Sequence, residues 1–463
     1  MSNTRLTIHS PYNQEDLGSI STMNWPSVSE KIGLAQVAYK NRDKWLPVHE
    51  RVGILERTAR LMVKHHSTLA MQIAKEGGKP LKDALIEVTR AIDGVRLAEE
   101  CIRSESGHVI PMNGTVAGSS KMAMTQKEPI GIVVAVSAFN HPLNLIVHQV
   151  ASAVAAGCPV LVKPAADTPL SCQSFVDLLI EAGLPKAWCQ CIIPQDLNVA
   201  ERLVTDSRVS FFSFIGSANV GWKLRSKLAP GTRCSLEHGG VAPVILNDSS
   251  DLQSAVNSIT KGGFYHAGQV CVSVQRVYVH ESITDDFVSI FRDAAKALTV
   301  GDPTLIDTDV GPLIREAEVT RIDSWVQEAI EQGAECICGG ARIGAQCYAP
   351  TILLNPPTEA TVSKQEVFGP VVCVYTYSSL EEAIKQANSL PFAFQAAVFS
   401  DSLDIAMHCY KHLDASAVMV NDHSAFRVDN MPFAGLKQSG LGVGGIQHAI
   451  NDMQIEKMLV LSI

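Results

Sequence analysis

Helix-like and strand-like periods of apolar residues divide the chain into successive regions. Between residues 29 and 105, apolar side chains recur every three or four positions, which predicts amphipathic helices. Two glycines and a proline, Gly77, Gly78 and Pro80, break this run. This first region is therefore predicted to be helical on both sides of a turn near residue 78.

The period changes beyond residue 130. Short β-branched apolar runs, which are typical of buried parallel strands, occur at 131–139, 158–165 and 208–216. Helical stretches follow the first and the third run, and Gly157 is a typical helix stop. Strands that alternate with helices predict a doubly wound, Rossmann-like sheet.

A second α/β pattern begins after residues 234–246. Its predicted helices lie near 251–267, 283–298, 315–332 and 402–412. Its predicted strands lie near 274–280, 371–377 and 416–421. The segments 114–129 and 452–463 fit neither core, and we expect them to form strands that pair with a partner subunit.

Composition and charge exclude several classes of protein. The 463 residues are 46% apolar and 18% charged, which is ordinary for a globular protein with two or three structural units. The formal charge of −9, without a long basic run, argues against nucleic acid as a partner. No apolar run has the length of about eighteen residues that a membrane span needs. The N-terminal stretch also lacks a signal-peptide core, so we expect a cytoplasmic protein.

The twelve cysteines are irregularly spaced and are expected to be reduced thiols. Two pairs have C-x-C spacing, Cys189 with Cys191 and Cys336 with Cys338. One interpretation is a zinc site, and the other is alternation along a strand. The second is favoured, because the spacing is not that of zinc knuckles. We therefore predict no metal site.

Cys271 lies in "YHAGQVCVSVQRVYV", between a flexible Ala-Gly-Gln stretch and a strand-like run. Most free cysteines are buried as small apolar residues, and this is the first interpretation. The second is a nucleophile, because a deprotonated or base-assisted thiol attacks carbonyl carbons. Gly268 and Gln269 suit a tight loop that presents the thiol.

Other candidate residues follow predicted strands. Glu237 in "LEHGG" has the position of a general base at a turn, or of a solvated loop charge. Asn140 in "SAFNHP" can donate to an oxyanion, or simply form a turn. Lys163 in "VLVKPA" can reach a ribose or phosphate. In "FIGSANVG", Gly216 and Gly221 flank a helix start that suits an anion.

In this chain order the motifs resemble the aldehyde dehydrogenase superfamily, from about residue 30 to the end. The motifs that carry the resemblance are "SAFNHPLN", "VLVKPA", "FIGSANVG", "LEHGG", "GQVC", "EVFGPVV" and "NMPFAGLKQSGLG". Within the superfamily, "HAGQVCVSVQRV" and "FRVDNMPFAGLKQSGLG" are most similar to the lactaldehyde-type and phosphonate-aldehyde dehydrogenases.

The resemblance implies roles for three catalytic residues. Cys271 corresponds to the nucleophile that forms a thiohemiacetal with the aldehyde. The Asn140 side chain and the Cys271 backbone N–H correspond to the oxyanion hole. Glu237 corresponds to the base that activates water to hydrolyse the thioester.

The resemblance also implies a dinucleotide, NAD or NADP, as cofactor. The implied cofactor-binding residues are Ser137, Ala138, Phe139, Lys163, Ala166, Gly216, Ser217, Gly221, Gly239, Glu366 and Phe368. Many members have a glutamate, which repels a 2′-phosphate, where this chain has Ala166 followed by Asp167. NADP is therefore expected to be accepted.

Two further positions depart from the family pattern. Val443 replaces a common arginine, so a local ion pair is expected to be absent. His238 replaces an apolar residue beside Glu237, and packing is favoured over a role in tuning that base.

By resemblance, the implied substrate-binding residues are Arg90, His141, Arg427 and Phe433, in a pocket that also includes Leu145, His148, His266 and Phe426. Arg90, His141 and Arg427 are expected to hold an anionic head group. The alternative for Arg90 is a surface pair with Glu87. Val270 stands where phosphonate-aldehyde enzymes have a further arginine, so a hydroxy-aldehyde or a carboxylated semialdehyde is equally plausible.

The resemblance and the periodicity together predict an α/β fold. A Rossmann-like dinucleotide-binding domain spans 1–113 and 130–238, a second α/β catalytic domain spans 239–441, and small β oligomerisation strands span 114–129 and 442–463. The implied activity is NAD(P)-dependent oxidation of a small aldehyde by a homodimer or homotetramer. The alternatives are a CoA-acylating dehydrogenase, a cysteine esterase and an inactive structural homologue.

Overall fold

The computed structural model describes residues 5–463. The chain begins with an antiparallel hairpin of Arg5–His9 and Asp16–Ser21, which the sequence pattern did not reveal. Four helices follow, Trp25–Lys40, Val48–Lys64, His66–Gly77 and Leu81–Arg103. The predicted helical region and its break are confirmed. Gly78 caps the third helix at φ +68°, where a Cβ would lie only 2.7 Å from the Pro312 ring.

The first sheet is doubly wound. Its strands, in spatial order, are Gly440–Leu441, Arg233–Glu237, Val209–Ile215, Ile132–Val136, Val160–Lys163 and Cys189–Cys191. All neighbours are parallel except the short first strand. The winding reverses at Ile132–Val136, because the chain first adds strands on one side and then on the other. Such a switch point opens a crevice at the carboxyl ends of the strands.

Helices cover both faces of the first sheet. They are Asn144–Ala156, Pro169–Glu181, Leu197–Thr205, Ala218–Arg225 and Ile446–Asp452, together with the four N-terminal helices. The larger core on one face contains the second, third and fourth N-terminal helices packed on Asn144–Ala156. The smaller core on the other face contains Trp25–Lys40 and Leu197–Thr205.

The second sheet has seven strands and one continuous core. In spatial order they are Glu335–Cys338, Thr351–Leu354, Val371–Tyr377, Val274–His280, Ala242–Leu246, Gln395–Phe399 and Ala417–Val420. Only the first pair is antiparallel. The accompanying helices are Leu252–Phe264, Thr284–Lys296, Glu316–Glu331, Thr361–Lys364, Leu380–Ala387 and Leu403–His412. The predicted α/β fold class is thereby confirmed, and both C-x-C pairs lie on strands.

A three-stranded antiparallel sheet projects from this body. It consists of Gln454–Ser462, Lys121–Pro129 and Val109–Ile110. The expectation of strands throughout 442–463 was wrong for its first half. Residues Ile446–Asp452 form a helix whose Ile446 and Ile450 side chains are buried in the larger core of the first sheet.

Two smaller antiparallel pairs complete the fold, Arg342–Ile343 with Cys347–Tyr348 and Phe392–Ala393 with Leu436–Lys437. Single 3₁₀ turns occur at Arg42–Lys44, Val116–Gly118 and Glu281–Ile283. No helix within residues 5–463 combines the length and the apolar character needed to cross a bilayer.

Candidate active site

A cavity of about 510 Å³ lies where the carboxyl ends of the first sheet face the start of the second. Asn140, Glu237 and Cys271 all line it. It is also lined by most of the other predicted site residues, namely Ser137, Ala138, Phe139, His141, Leu145, Lys163, Ala166, Gly216, Ser217, His238, Gly239, Glu366, Phe368 and Phe433. Gly221, Arg90, Arg427, His148, His266 and Phe426 lie outside it.

The loop before Cys271 has an unusual backbone. His266, Ala267 and Gly268 have φ of 49°, 54° and 69°, three consecutive left-handed residues. A Cβ on residue 268 would lie 2.1 Å from the Gly369 carbonyl oxygen, so only glycine fits there. Strain of this kind persists where the surroundings fix it, which is common at functional sites.

Gln269 is the residue that fixes this loop. Its buried side chain donates to the Pro312 carbonyl and accepts a hydrogen bond of 3.0 Å from the Ile314 N–H. The Cys271 carbonyl accepts a hydrogen bond of 3.1 Å from the Gly240 N–H, just before strand Ala242–Leu246. The loop that carries the thiol is therefore fixed by the residues before helix Glu316–Glu331 and by those before strand Ala242–Leu246.

Asn140 follows the central strand of the first sheet, Ile132–Val136, and is buried. Its side-chain amide donates to the Gln269 carbonyl oxygen at 2.9 Å. This contact places an amide donor beside the loop that carries the thiol.

A buried ion pair supports the segment after Asn140. Glu87 binds the Lys79 ammonium and accepts the backbone N–H groups of Leu143 and Asn144, each at 3.0 Å. Lys79 also donates to His141 Nδ1 at 2.8 Å. The alternative of an Arg90–Glu87 pair was therefore wrong. The error arose because helix spacing does not reveal that Lys79, eight residues away, takes this carboxylate.

Burial shifts both reactive groups toward their neutral forms. Desolvation raises the pKa of Glu237 to about 7, against an opposing effect of the nearby Arg427 cation. Desolvation, with the negative charges of Glu366 and Glu237, raises the pKa of the Cys271 thiol to about 12. The thiol therefore needs a base, whereas the carboxyl group titrates near neutral pH and can act as one.

The other end of the cavity has features that fit a dinucleotide. Ser217 caps the N-terminus of helix Ala218–Arg225 and lines this end of the cavity. The N-terminal N–H groups of the helix therefore face the cavity. Ser137 Oγ and Glu366 Oε1 are buried without a hydrogen-bond partner within residues 5–463. Phe139 and Phe368 form an edge-to-face wall, with ring centroids 5.8 Å apart. These unpartnered polar groups and apolar walls match the ribose and ring surfaces of such a ligand.

Gly221 has a packing role, which corrects its expected place in the cofactor site. A Cβ on Gly221 would lie 2.1 Å from His238 Nε2. The His238 ring packs against Phe214 and Trp222, and its Nδ1 bonds to the Gln438 carbonyl at 2.9 Å. The favoured interpretation of His238 as a packing residue agrees with these contacts, although the ring also borders the cavity.

The three residues expected to hold an anionic group line two neighbouring spaces: Arg90 and Arg427 line a surface cleft, and His141 lines the main cavity. Arg90 is engaged by Asp429 through two hydrogen bonds of 3.0 and 2.9 Å. His141 lies in the main cavity, where burial and the Lys79 cation lower its pKa to about 4, so the ring is neutral. The expectation of three converging cationic donors is therefore corrected to Arg427 as the available cation and His141 as a neutral group.

Arg427 lines a neighbouring surface cleft and contacts Phe433, which lines the main cavity. Its guanidinium carbon lies 3.6 Å from the centroid of the Phe433 ring, and its Nε has no hydrogen-bond partner within the described chain. Arg427 and Arg90 line the cleft of about 380 Å³ beside it, with Arg96 on its wall. Arg427 is thus the cation with free hydrogen-bonding capacity next to Phe433.

Three charged cavity residues were missed by sequence reasoning: Arg315, Glu318 and Arg321. They lie at the start of helix Glu316–Glu331, whose period revealed a helix but not which charged residues face the crevice. Arg315 pairs with Asp167, and Arg321 with Glu318. Within residues 5–463, no three His, Cys, Asp or Glu side chains cluster as metal ligands would.

Comparison with known proteins decides the family. The model of the aldehyde dehydrogenase family matches residues 1–459. The chain belongs to the aldehyde dehydrogenase family. It is therefore an NAD(P)-dependent oxidoreductase, as the order of its motifs predicted.

Individual relatives of this aldehyde dehydrogenase cover nearly its full length. A 3-sulfolactaldehyde dehydrogenase of Priestia aryabhattai is 36% identical over 459 residues, covering 99% of this chain and 95% of the relative. Aldehyde dehydrogenase 21 from Physcomitrella patens, solved with its product succinate, is 34% identical with a TM-score of 0.96, covering 100% of this chain and 95% of that one. The glyceraldehyde-3-phosphate dehydrogenase of Methanocaldococcus jannaschii, solved with NADP, is 34% identical with a TM-score of 0.94, covering 99% of both chains.

Proposed function

We propose that this aldehyde dehydrogenase oxidises a small aldehyde with a hydroxyl or anionic group to the carboxylic acid, through a thioester on Cys271. The observation that carries the proposal is that the thiol of Cys271, the amide of Asn140 and the carboxyl group of Glu237 line one cavity. A nucleophile, an oxyanion donor and a base are the groups that this reaction needs.

The reaction begins with attack of the Cys271 sulfur on the carbonyl carbon, while the thiol proton moves to the Glu237 carboxylate directly or through water. The carbonyl oxygen becomes negative and accepts hydrogen bonds from the Asn140 amide and the Cys271 backbone N–H. Asn140 exchanges its bond to the Gln269 carbonyl for this one. A dinucleotide held by Ser217, Glu366 and Phe368 would accept the hydride that leaves the former carbonyl carbon, and a thioester on Cys271 would remain.

The second half of the reaction is hydrolysis. Glu237 first releases the thiol proton to solvent and, ionised again, takes a proton from water as the water oxygen attacks the thioester carbon. The carbon–sulfur bond breaks, the acid leaves, and the sulfur is regenerated. The raised pKa of Glu237, about 7, suits a group that must accept and release protons near neutral pH.

Arg427 and His141 support an oxygen-rich substrate. The partnerless Nε of Arg427 can donate to a carboxylate, sulfonate or phosphate group. His141 is neutral and borders the same cavity as Cys271, so its ring can form a hydrogen bond with an uncharged hydroxyl group of the substrate. Two of the relatives are named for anionic aldehydes, and a third was solved with succinate.

Release by coenzyme A, ester hydrolysis without cofactor, and a purely structural role are the alternatives. Glu237 in the cavity supports water as the acyl acceptor, because a base is needed for water and not for a thiol of low pKa. The cofactor half of the cavity argues against a simple esterase. No contact in the described chain favours any of the three.

The test is a panel of aldehydes with NAD and with NADP, with and without coenzyme A. The panel contains lactaldehyde, glycolaldehyde, succinic semialdehyde, phosphonoacetaldehyde and propanal. We expect reduced dinucleotide and free acid, with kcat/KM highest for hydroxy or anionic aldehydes. Turnover that requires coenzyme A, or a clear preference for propanal, would contradict the proposal.

A further inference from the structure

An ion pair joins the two walls of the crevice at its Lys163 end. Asp167 lies in the loop after strand Val160–Lys163 of the first sheet, and Arg315 immediately precedes helix Glu316–Glu331 of the second. Arg315 holds the Asp167 carboxylate through two hydrogen bonds, one of them 2.8 Å long. The Arg315 side chain nevertheless remains 53% exposed and lines the same cavity as Lys163 and Ala166.

The charge balance at this end of the cavity is positive. Lys163 and Arg315 are cations and Asp167 is the anion between them, so the group has a net charge of +1. The Lys163 ammonium has one hydrogen bond within the described chain, to the Pro164 carbonyl at 3.0 Å, and no carboxylate partner. The nearby charges of Arg321 and Glu318 cancel in a pair of their own. Ala166 adds a small apolar side chain and no charge.

We infer that Arg315 is a specificity-determining residue that binds the 2′-phosphate of NADP at the Lys163 end of the crevice. This rests on the family resemblance in placing the adenosine ribose beside Lys163 and Ala166, and on the proposed function only in the use of a dinucleotide. A guanidinium group donates two parallel hydrogen bonds to a phosphate as readily as to a carboxylate. A half-exposed ion pair is also weak, so Arg315 exchanges Asp167 for phosphate at little cost.

Asp167 has the opposing effect in this arrangement. Its carboxylate neutralises Arg315 when no phosphate is present, which keeps the site able to accept NAD. When a phosphate binds, the same carboxylate repels it. Removing the charge of Asp167 therefore strengthens the 2′-phosphate interaction, whereas removing the charge of Arg315 abolishes it.

The experiment measures binding of two cofactor fragments by calorimetry, 2′,5′-ADP and 5′-AMP, which differ only in the 2′-phosphate. Arg315→Gln is expected to weaken 2′,5′-ADP by about 10- to 100-fold, the usual effect of a lost charge-assisted pair, and 5′-AMP by less than about twofold. Asp167→Asn is expected to strengthen 2′,5′-ADP. The matched control is Arg342→Gln, because Arg342 also pairs with an aspartate, Asp323, but lies outside the cavity.

Each outcome decides the inference. It is overturned if the wild-type protein binds both fragments equally, or if Arg315→Gln weakens both to the same degree, since Arg315 would then only hold the crevice together. Binding of neither fragment also overturns it, together with the position of the adenosine. Aldehyde turnover tests the proposed reaction separately. If turnover is normal but the protein binds 2′,5′-ADP and 5′-AMP equally, only the role of Arg315 is rejected. If the protein prefers 2′,5′-ADP but turns over no aldehyde, only the proposed reaction is rejected.

Discussion

Glu237 is the residue whose protonation couples the two halves of the proposed reaction. Two effects on its pKa oppose each other: burial favours the neutral acid, and the Arg427 cation favours the carboxylate. Because burial dominates, its pKa lies near 7 rather than near 4. The carboxylate is the active base, so hydrolysis of the thioester should rise with pH through about 7 and level off above it.

Glu237→Gln tests this role. We expect steady-state turnover to fall by about 10²- to 10⁴-fold, the usual contribution of a general base, and the limb of the pH profile near 7 to disappear. The first release of reduced dinucleotide should also slow, because the variant lacks the carboxylate that accepts the Cys271 thiol proton. Rapid-mixing absorbance at several pH values measures both. A variant that keeps the same pH limb would show that another group is the base.

Arg427 is expected to distinguish anionic from neutral substrates. Arg427→Met keeps side-chain length and contact with Phe433 but removes the charge and the unpartnered Nε. KM for succinic semialdehyde should therefore rise by about tenfold or more, the effect of one lost charge-assisted hydrogen bond, while KM for propanal changes little. Equal changes for both aldehydes would place the anionic group elsewhere.

Sequence reasoning found the site residues that lie in short, recognisable motifs. Asn140, Glu237 and Cys271 each lie in a recognisable local stretch, and all line the same cavity. Ion pairs between distant segments give no such signal. Arg90 binds Asp429, which is 339 positions away, and Arg315 binds Asp167, which is 148 positions away. Neither partner could be chosen from sequence spacing.

At the scale of elements, the loop Tyr265–Gly268 determines where the thiol lies. The sequence pattern near 251–267 predicted one helix, but the helix ends at Phe264 and the left-handed turn begins. The helical spacing of apolar residues in the sequence continues through residues 265–267, but tertiary contacts hold these residues in another conformation. Gln269 and the close approach of Gly369 supply those contacts.

Gly268→Ala should disturb this loop, and Gly344→Ala is its matched control. Both glycines have positive φ, 69° and 63°, so both substitutions impose a left-handed alanine at about 1–2 kcal/mol. Nothing lies within 4 Å of a Cβ on residue 344, whereas residue 268 meets the Gly369 carbonyl. The overlap should cost about 1–3 kcal/mol more and lower kcat. Equal thermal stability and activity of the two variants would contradict this view of the loop.

The elements that sequence reasoning missed are short or weakly patterned. Strand Gln395–Phe399 lies inside the second sheet, next to its edge strand, yet its "QAAVF" contains two alanines and one β-branched residue. Strand Thr351–Leu354 has only four residues. Long strands with many β-branched residues, such as Val371–Tyr377, were predicted correctly because their composition alone favours the extended state.

At the scale of the whole molecule, the projecting three-stranded sheet leaves a group of apolar side chains exposed. Met122, Met124, Met458, Leu459, Val460 and Leu461 are between 41% and 55% exposed on it. A small sheet with exposed apolar side chains gains stability by packing against another surface. We expect that surface to belong to a second copy, as the sequence pattern predicted.

Leu459→Lys should weaken this association. The wild-type protein is expected to be a dimer or tetramer at micromolar concentration, because a sheet with exposed apolar side chains packs readily against a second copy. The variant should shift toward smaller species. Leu305→Lys is the control, because Leu305 is similarly exposed, at 59%, but lies outside the projecting sheet. Sedimentation velocity measures all three proteins. A monomeric wild-type protein, or an unchanged Leu459→Lys distribution, would contradict the expectation.

The central claim is that the sulfur of Cys271 performs the chemistry in a cavity that binds the dinucleotide independently of it. The most direct measurement is formation of reduced dinucleotide by Cys271→Ala with saturating aldehyde, alongside calorimetric binding of the oxidised dinucleotide. The account predicts a loss of turnover of at least about 10⁴-fold, as for other covalent nucleophiles, with binding within about threefold of wild type. Steady production of reduced dinucleotide by the alanine variant would contradict it.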